Sequence, residues 1–194
     1  MTTRSPRIGT PRSIAWVAAV AIVSALTLTS CGAGGTSADG VQLAQYDGKG
    51  FTVSYPASWK PYPHGKVVTD AKFEVVKLSK ADNSPYASMH IRVHDDAGVL
   101  TDTVSTFAAN IKISNNKLLE RKEVEVKGTD EGYIIRQAYP LEHETFRIRQ
   151  VDLLTLTEAG KTLDVRLVCR ANLCKRYEET FDAVLDSVRI TDSQ

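Results

Sequence analysis

His90 and His94 are the residues whose type and spacing first raise the question of chemistry. On a helix, imidazoles four apart share a face and can hold a zinc ion, with a glutamate after the first histidine acting as base. Here Met89-His90-Ile91-Arg92-Val93-His94 alternates apolar and polar, the period of a half-buried strand. Four residues of strand span ~13 Å, so the two rings would not meet at one ion. Ile91, not a glutamate, follows His90. The alternation predicts Met89, Ile91 and Val93 in the core and His90, Arg92 and His94 facing solvent.

The other constellations are weaker. Asp95 and Asp96, with Asp82 and Asn83, offer oxygen ligands for calcium, but the spacing is not that of an EF-hand loop and acids gather at turns. Ser54, Ser58 and Ser88 lack a Gly-x-Ser-x-Gly elbow. Gly48-Lys49-Gly50 precedes no helix, so it reads as a hairpin turn and not as a phosphate loop. No catalytic residue, metal site or cofactor is therefore expected. Among the aromatics, Phe51, Tyr55 and Trp59 are assigned to the core. Tyr62 and Tyr86 stay open between core and a binding surface, where aromatic residues are enriched.

Cys31, Cys169 and Cys174 are the cysteines of the 194-residue chain. Arg4, Arg7 and Arg12 precede an apolar run, Ile14 to Leu28, that is shorter than the ~20 residues a transmembrane helix needs. This is the pattern of a signal peptide. The run closes on Leu28-Thr29-Ser30-Cys31, which resembles a bacterial lipobox. A secretory signal or signal anchor with an incidental cysteine accounts less well for small residues directly before Cys31. The resemblance implies that the Cys31 thiol takes a diacylglycerol and that residues 1–30 are removed. Two acyl chains anchor stably where one gives marginal binding, each buried CH₂ adding about 0.8 kcal/mol. The expected location is the outer face of a cell membrane.

With Cys31 lipidated, Cys169 and Cys174 remain. In an exported protein a close pair reads as a disulfide, against a metal half-site or two free thiols. No second cysteine pair exists to complete a four-sulfur site. The leader's arginines account for more than the chain's net charge of +1, so residues 31–194 are mildly acidic and nucleic acid is not an expected partner.

Gly32 to Gly40 is small, polar and glycine-rich, a flexible tether reaching ~30 Å when extended. Residues 41–194 suffice for one domain. Val41–Tyr46 and Phe51–Tyr55 flank a Gly-rich turn, and Pro56 ends the second strand. Strands follow at Phe73–Leu78 and Met89–His94, separated by an Asp82–Pro85 turn. Val104, Phe107, Ala108 and Ile111 then fall on one face of a helix over Thr101–Ile113, with Thr101 or Asp102 as its cap. Strands are expected at Leu118–Val126, Gly132–Tyr139, Thr145–Thr157 and Thr162–Cys169, with a turn over Gly128–Gly132. The apolar positions of the third shift parity near Gln150, which predicts a bulge or twist there. Tyr177, Phe181, Val184, Leu185 and Val188 mark a terminal helix, and Arg189–Asp192 a short closing strand.

Two helices on an antiparallel sheet make an α+β layer architecture. The element order resembles the PsbP/Mog-like fold. The residues that carry the resemblance are Phe51-x-Val53-x-Tyr55-Pro56-x-x-Trp59 and Phe181-x-x-Val184-x-x-Ser187-Val188-Arg189. With the lipobox, the chain is similar to actinobacterial lipoproteins of the LpqN/LpqT kind. In that resemblance PsbP subunits serve photosystem assembly and Mog proteins bind a small GTPase, so the fold hosts accessory and binding roles. Fold does not determine function. The expectation is a non-catalytic, membrane-anchored binding or accessory module with a protein partner. The alternatives are a carrier of a lipid or other apolar ligand and, further off, a hydrolase.

Overall fold

The computed structural model describes residues 41–62, 71–78, 85–95, 98–140 and 147–192. Two antiparallel sheets and two helices form the fold, an α+β architecture as the sequence predicts. The small sheet joins the hairpin β1 (Leu43–Gly48) and β2 (Phe51–Pro56) to β10 (Arg189–Ile190), in the order β1-β2-β10. The large sheet contains β3 (Lys60–Pro61), β4 (Phe73–Leu78), β5 (Pro85–His94), β6 (Lys117–Val126), β7 (Thr129–Pro140), β8 (Arg147–Leu156) and β9 (Thr162–Arg170). Its order is β3-β4-β5-β9-β8-β7-β6. Pro61 sits in the edge strand β3, where a missing N–H costs no ladder bond.

The helices take opposite faces of the large sheet. α1 (Leu100–Ile113) buries Leu100, Val104 and Ile111 against Ile135 of β7 and Leu154 of β8. On the other face, α2 (Glu178–Asp186) and the small sheet close over a larger core. Phe51 and Val53 of β2 meet Met89, Ile91, Leu163, Val165 and Leu167 of the sheet, with Phe181, Val184 and Trp59 beside them. Trp59 is packed edge-on against Tyr177 and Phe181, with ring centroids 6.0 and 6.4 Å away. The core assignments of Phe51 and Trp59 hold. Tyr55 is half-buried, its ring centroid 5.1 Å from that of Phe73.

Several local expectations are corrected. α1 begins one residue earlier than predicted, and its N-cap is Val99, with no side-chain cap bond from Thr101 or Asp102. Asn115 ends it in a left-handed conformation, φ 57°. The Gly128–Gly132 turn is tighter than expected, because Thr129 to Gly132 already pair within β7. Gly128, at φ 92°, makes this possible: a Cβ there would lie 2.2 Å from the Ile190 carbonyl oxygen. β8 runs without a bulge at Gln150, in unbroken register with β7 and β9. Register shifts lie instead in β6, between Leu118 and Glu120 and between Val124 and Val126, and where β4 pairs with β5, between Lys77 and Leu78. The parity change in β8 arises because the strand is covered on both faces, so apolar residues occupy both sets of positions. The expected Asp82–Pro85 turn falls on residues 82–84, outside the described residues.

Cys169, at the end of β9, and Cys174, opening a single 3₁₀ turn before α2, form a disulfide with Cα atoms 5.4 Å apart. It pins the strand-to-helix corner beside Phe181 and Trp59. A Cys169→Ser/Cys174→Ser chain should lose about 2 kcal/mol, the loop-closure entropy of so short a ring. Urea denaturation of the oxidised parent and of the variant measures this. Equal midpoints would show that the corner is held by packing alone.

Candidate functional site

The face of the large sheet beside α1 carries a row of buried charges that the sequence reading did not anticipate. Antiparallel register sets it: Glu74 of β4 lies opposite His90 of β5, His90 opposite Arg166 of β9, and Arg166 opposite Asp152 of β8. One step along, Arg92 lies opposite Asp164. Glu74, His90, Asp152 and Asp164 are each exposed by 1% or less. His90 is therefore not a solvent-facing histidine. Alternation along a strand tells which residues share a face, not whether that face is covered. His94, farther along, keeps about a third of its side chain exposed, 34%, and lies 4.0 Å from Asp164.

Charge is balanced within the row. Arg166 Nε donates to Asp152 Oδ1 at 2.6 Å, and its Nη2 donates to Asp164 Oδ2 at 3.3 Å. Arg92 also donates to Asp164 Oδ2 through Nε and Nη2. Gln150 Nε2 adds donations to both Asp152 oxygens at 2.9 and 2.7 Å. Tyr139 donates its hydroxyl to Gln150 Oε1 at 3.1 Å. Burial and the neighbouring Asp164 charge push the Asp152 carboxyl up to about 6, against the pull of Arg166. Arg166 itself is held more firmly charged by Asp152 and Asp164, which outweigh its burial. For Asp164, burial is the largest single influence and raises its pKa. The bonds and charges of His94, Arg166 and Arg92 together overcome it and leave that carboxyl below its ordinary value.

At one end of the row, Ser88, His90 and Glu74 align in the order nucleophile, base, acid. Ser88 Oγ and His90 Nε2 share a 2.8 Å hydrogen bond, and His90 Nδ1 is 3.5 Å from Glu74 Oε1. Burial, with the charges of Arg166 and Arg92, lowers the imidazole to about 4. Near neutral pH it is a weak base. Ser88 is 5% exposed, and His90 and Glu74 are 1% exposed each, so the three are sealed from solvent.

The other end opens. A groove of about 450 Å³ runs between α1 and the sheet, with Asp102, Thr106 and Asn110 on the helix side and Arg92, Thr162 and Asp164 on the sheet side. Arg166 passes under the Phe107 ring, 5.8 Å from its centroid. Thr162 Oγ1 and Asp164 Oδ1 are fully buried polar atoms with no hydrogen-bond partner among the described residues. Polar atoms left so cost about 1–3 kcal/mol each.

The remaining sequence candidates scatter. Asp95 pairs with Lys161, while Asp82, Asn83 and Asp96 lie outside the described residues. Among the described residues no cluster of histidine, cysteine and carboxylate side chains is arranged to hold a metal. Ser187 Oγ accepts a hydrogen bond from the Ser54 backbone N–H at 2.8 Å, a link between α2 and β2. Ser58 is exposed. Tyr62 is half-buried, its N–H donating to the Glu74 carbonyl at 3.0 Å. The Tyr86 side chain lies outside the described ones, as does all of Cys31. No described helix is long and apolar enough to cross a membrane. A signal for the buried row was present in the sequence: Asp152 interrupts the apolar run Val151 to Leu154, and Asp164 and Arg166 alternate with Leu163, Val165 and Leu167 on the neighbouring strand.

No protein-family model and no curated protein matches the chain. Solved structures do. Cyanobacterial PsbP (CyanoP) from Synechocystis sp. PCC 6803 superposes with a TM-score of 0.55 at 18% identity, over 84% of this chain and 98% of that one. LpqN of Mycobacterium tuberculosis, described as involved in cell envelope biogenesis, gives 0.54 at 12% identity, over 77% and 92%. At such identities the likeness concerns the backbone. The chain has an α+β fold similar to those of PsbP and LpqN.

Proposed function

We propose that the chain is a non-catalytic binding module, tethered to the outer face of a cell membrane through lipid on Cys31, and that the groove beside α1 receives its protein partner. One observation carries this reading: an open groove of about 450 Å³ between α1 and the sheet is lined from both sides by polar and charged side chains, Asp102, Thr106 and Asn110 on the helix and Arg92 and His94 on the sheet. A partner segment bearing both hydrogen-bond donors and acceptors would be complementary to these side chains. The sealed position and low basicity of His90 speak against a Ser88–His90–Glu74 hydrolase. The lipobox-like Leu28-Thr29-Ser30-Cys31 and the likeness to LpqN, described as involved in cell envelope biogenesis, fit the same compartment.

Two measurements test the proposal. Cys31→Ala should move the protein from the membrane fraction to the soluble one, and unchanged retention would refute covalent anchoring there. A photo-crosslinker at the exposed Asn110 should capture one specific protein from native membranes. An Asp102→Arg change should abolish that capture. Recovery of no specific partner, or capture indifferent to Asp102→Arg, would overturn the groove as its site.

A second reading, carriage of an apolar ligand, has its own observation. The space between the sheet and α2 is filled by the core, so a chamber between the layers does not support it. A surface cleft of about 520 Å³ floored by Tyr46, Phe51 and Val93 does.

A further inference from the structure

The cleft that supports the second reading lies where the small sheet meets the end of the large one. Its floor is apolar: Tyr46 and Phe51 from the β1–β2 hairpin and Val93 near the end of β5. The floor is rigid for a local reason. A Cβ on Gly48 would come within 2.1 Å of the Phe51 ring, so only glycine lets that ring lie flat against the hairpin. Tyr46 is in turn stacked on Phe73, with ring centroids 4.2 Å apart. At about 520 Å³ the cleft falls within the roughly 300–1,000 Å³ range of small-molecule sites.

Its rim is cationic. Lys49, Lys72 and Lys161 all line the cleft, with Asp95 as the rim's acid. Asp95 is committed to Lys161, which bonds it and holds its carboxyl below the ordinary range. Lys72 also acts on Asp95 through its charge without pairing to it, so three cations meet one acid and two positive charges remain in excess over an aromatic floor. An apolar floor below a net positive rim is complementary to a molecule with an apolar body and an anionic head.

We infer that this cleft binds an anionic amphiphile, its alkyl or aromatic body on Tyr46, Phe51 and Val93 and its carboxylate or phosphate between Lys49 and Lys72. The inference rests on the apolar-ligand reading and adds the charge and the contacting residues.

The test uses full-length protein in phosphatidylcholine nanodiscs, with empty discs as the blank. Octanoate, octan-1-ol and octylammonium are titrated and followed by NMR. Octanoate should bind at least tenfold more tightly than octan-1-ol, and octylammonium least of all. Lys49→Glu/Lys72→Glu should weaken octanoate at least tenfold and leave octan-1-ol unchanged. Both lysines are exposed, so this variant keeps its core, and Lys117→Glu/Lys122→Glu on β6 serves as the control. Equal affinity for octanoate and octan-1-ol would overturn the inference while leaving an apolar-ligand site standing. Octanoate affinity unchanged in the cleft variant would also overturn it. Binding of none of the three would remove the apolar-ligand reading as well.

Discussion

An Arg166→Met protein should be less stable than the parent by about 3–5 kcal/mol at neutral pH, the cost of breaking a buried ion pair from one side. Arg166 is the cation shared by Asp152 and Asp164, both at most 1% exposed. Methionine fills much of the same volume under Phe107 but leaves two carboxylates facing each other across β8 and β9. Gln150 and Arg92 then carry one each. Without the guanidinium both carboxyls take up protons more readily, so the deficit should shrink as pH falls from 7 toward 5. Urea denaturation of both proteins at the two pH values measures it. A loss below about 1 kcal/mol, or one indifferent to pH, would show that the row is not held by charge. Arg166→Lys should recover only part of the loss, since an ammonium cannot span both acids with the planar fork of a guanidinium.

His90 should make the fold acid-sensitive in a defined window. Burial and the charges of Arg166 and Arg92 hold its pKa at about 4, against 6.5 for the free side chain. Above 6.5 neither the folded nor the unfolded chain binds the proton, and the residue costs nothing. Below it the unfolded chain takes a proton that the folded one refuses, so stability is lost until pH reaches about 4. At about 1.36 kcal/mol per unit the loss comes to about 3 kcal/mol. Asp152 acts in the opposite sense. Its raised pKa adds stability as pH falls below about 6, so the parent's own profile is partly flattened. The contribution of His90 is isolated by His90→Gln, which keeps a polar group beside Ser88. Between pH 7 and pH 4 the stability difference between the two proteins should move about 3 kcal/mol in the variant's favour. A constant difference would mean that the imidazole is protonated in the fold, with Glu74 and Asp164 as its counter-charges.

The elements were largely legible because their signals are local. Gly48 and Gly50 mark the hairpin, Pro56 the end of β2, and the spacing of Val104, Ala108 and Ile111 marks α1. What escaped the sequence depends on residues far apart in the chain. The pattern around His90 was read correctly as a strand, but α1 and the rest of the covering layer come from elsewhere. The change of parity at Gln150 has two physical causes that look alike in one dimension, a bulge or a strand covered on both faces. Only the partners of β8 separate them. The same limit hid the groove: Asp102, Thr162 and Asp164 become neighbours through the packing of α1, and no spacing rule joins them. The cap at Val99 was missed because a polar cap was expected where the chain supplies none.

The small sheet has a consequence for how the chain reaches this structure. β2 is completed on one side by its own hairpin and on the other by β10, and the Ser54–Ser187 link spans a sequence separation of 133. Contacts of that range are slow to form, because the entropy of closing the loop is lost before the contact contributes. Until residues 187–190 arrive, β2 presents an open edge, and open edges invite pairing with other chains. Maturation is thus gated from the far end. The hairpin that precedes the other described strands in the chain is among the last parts to be finished.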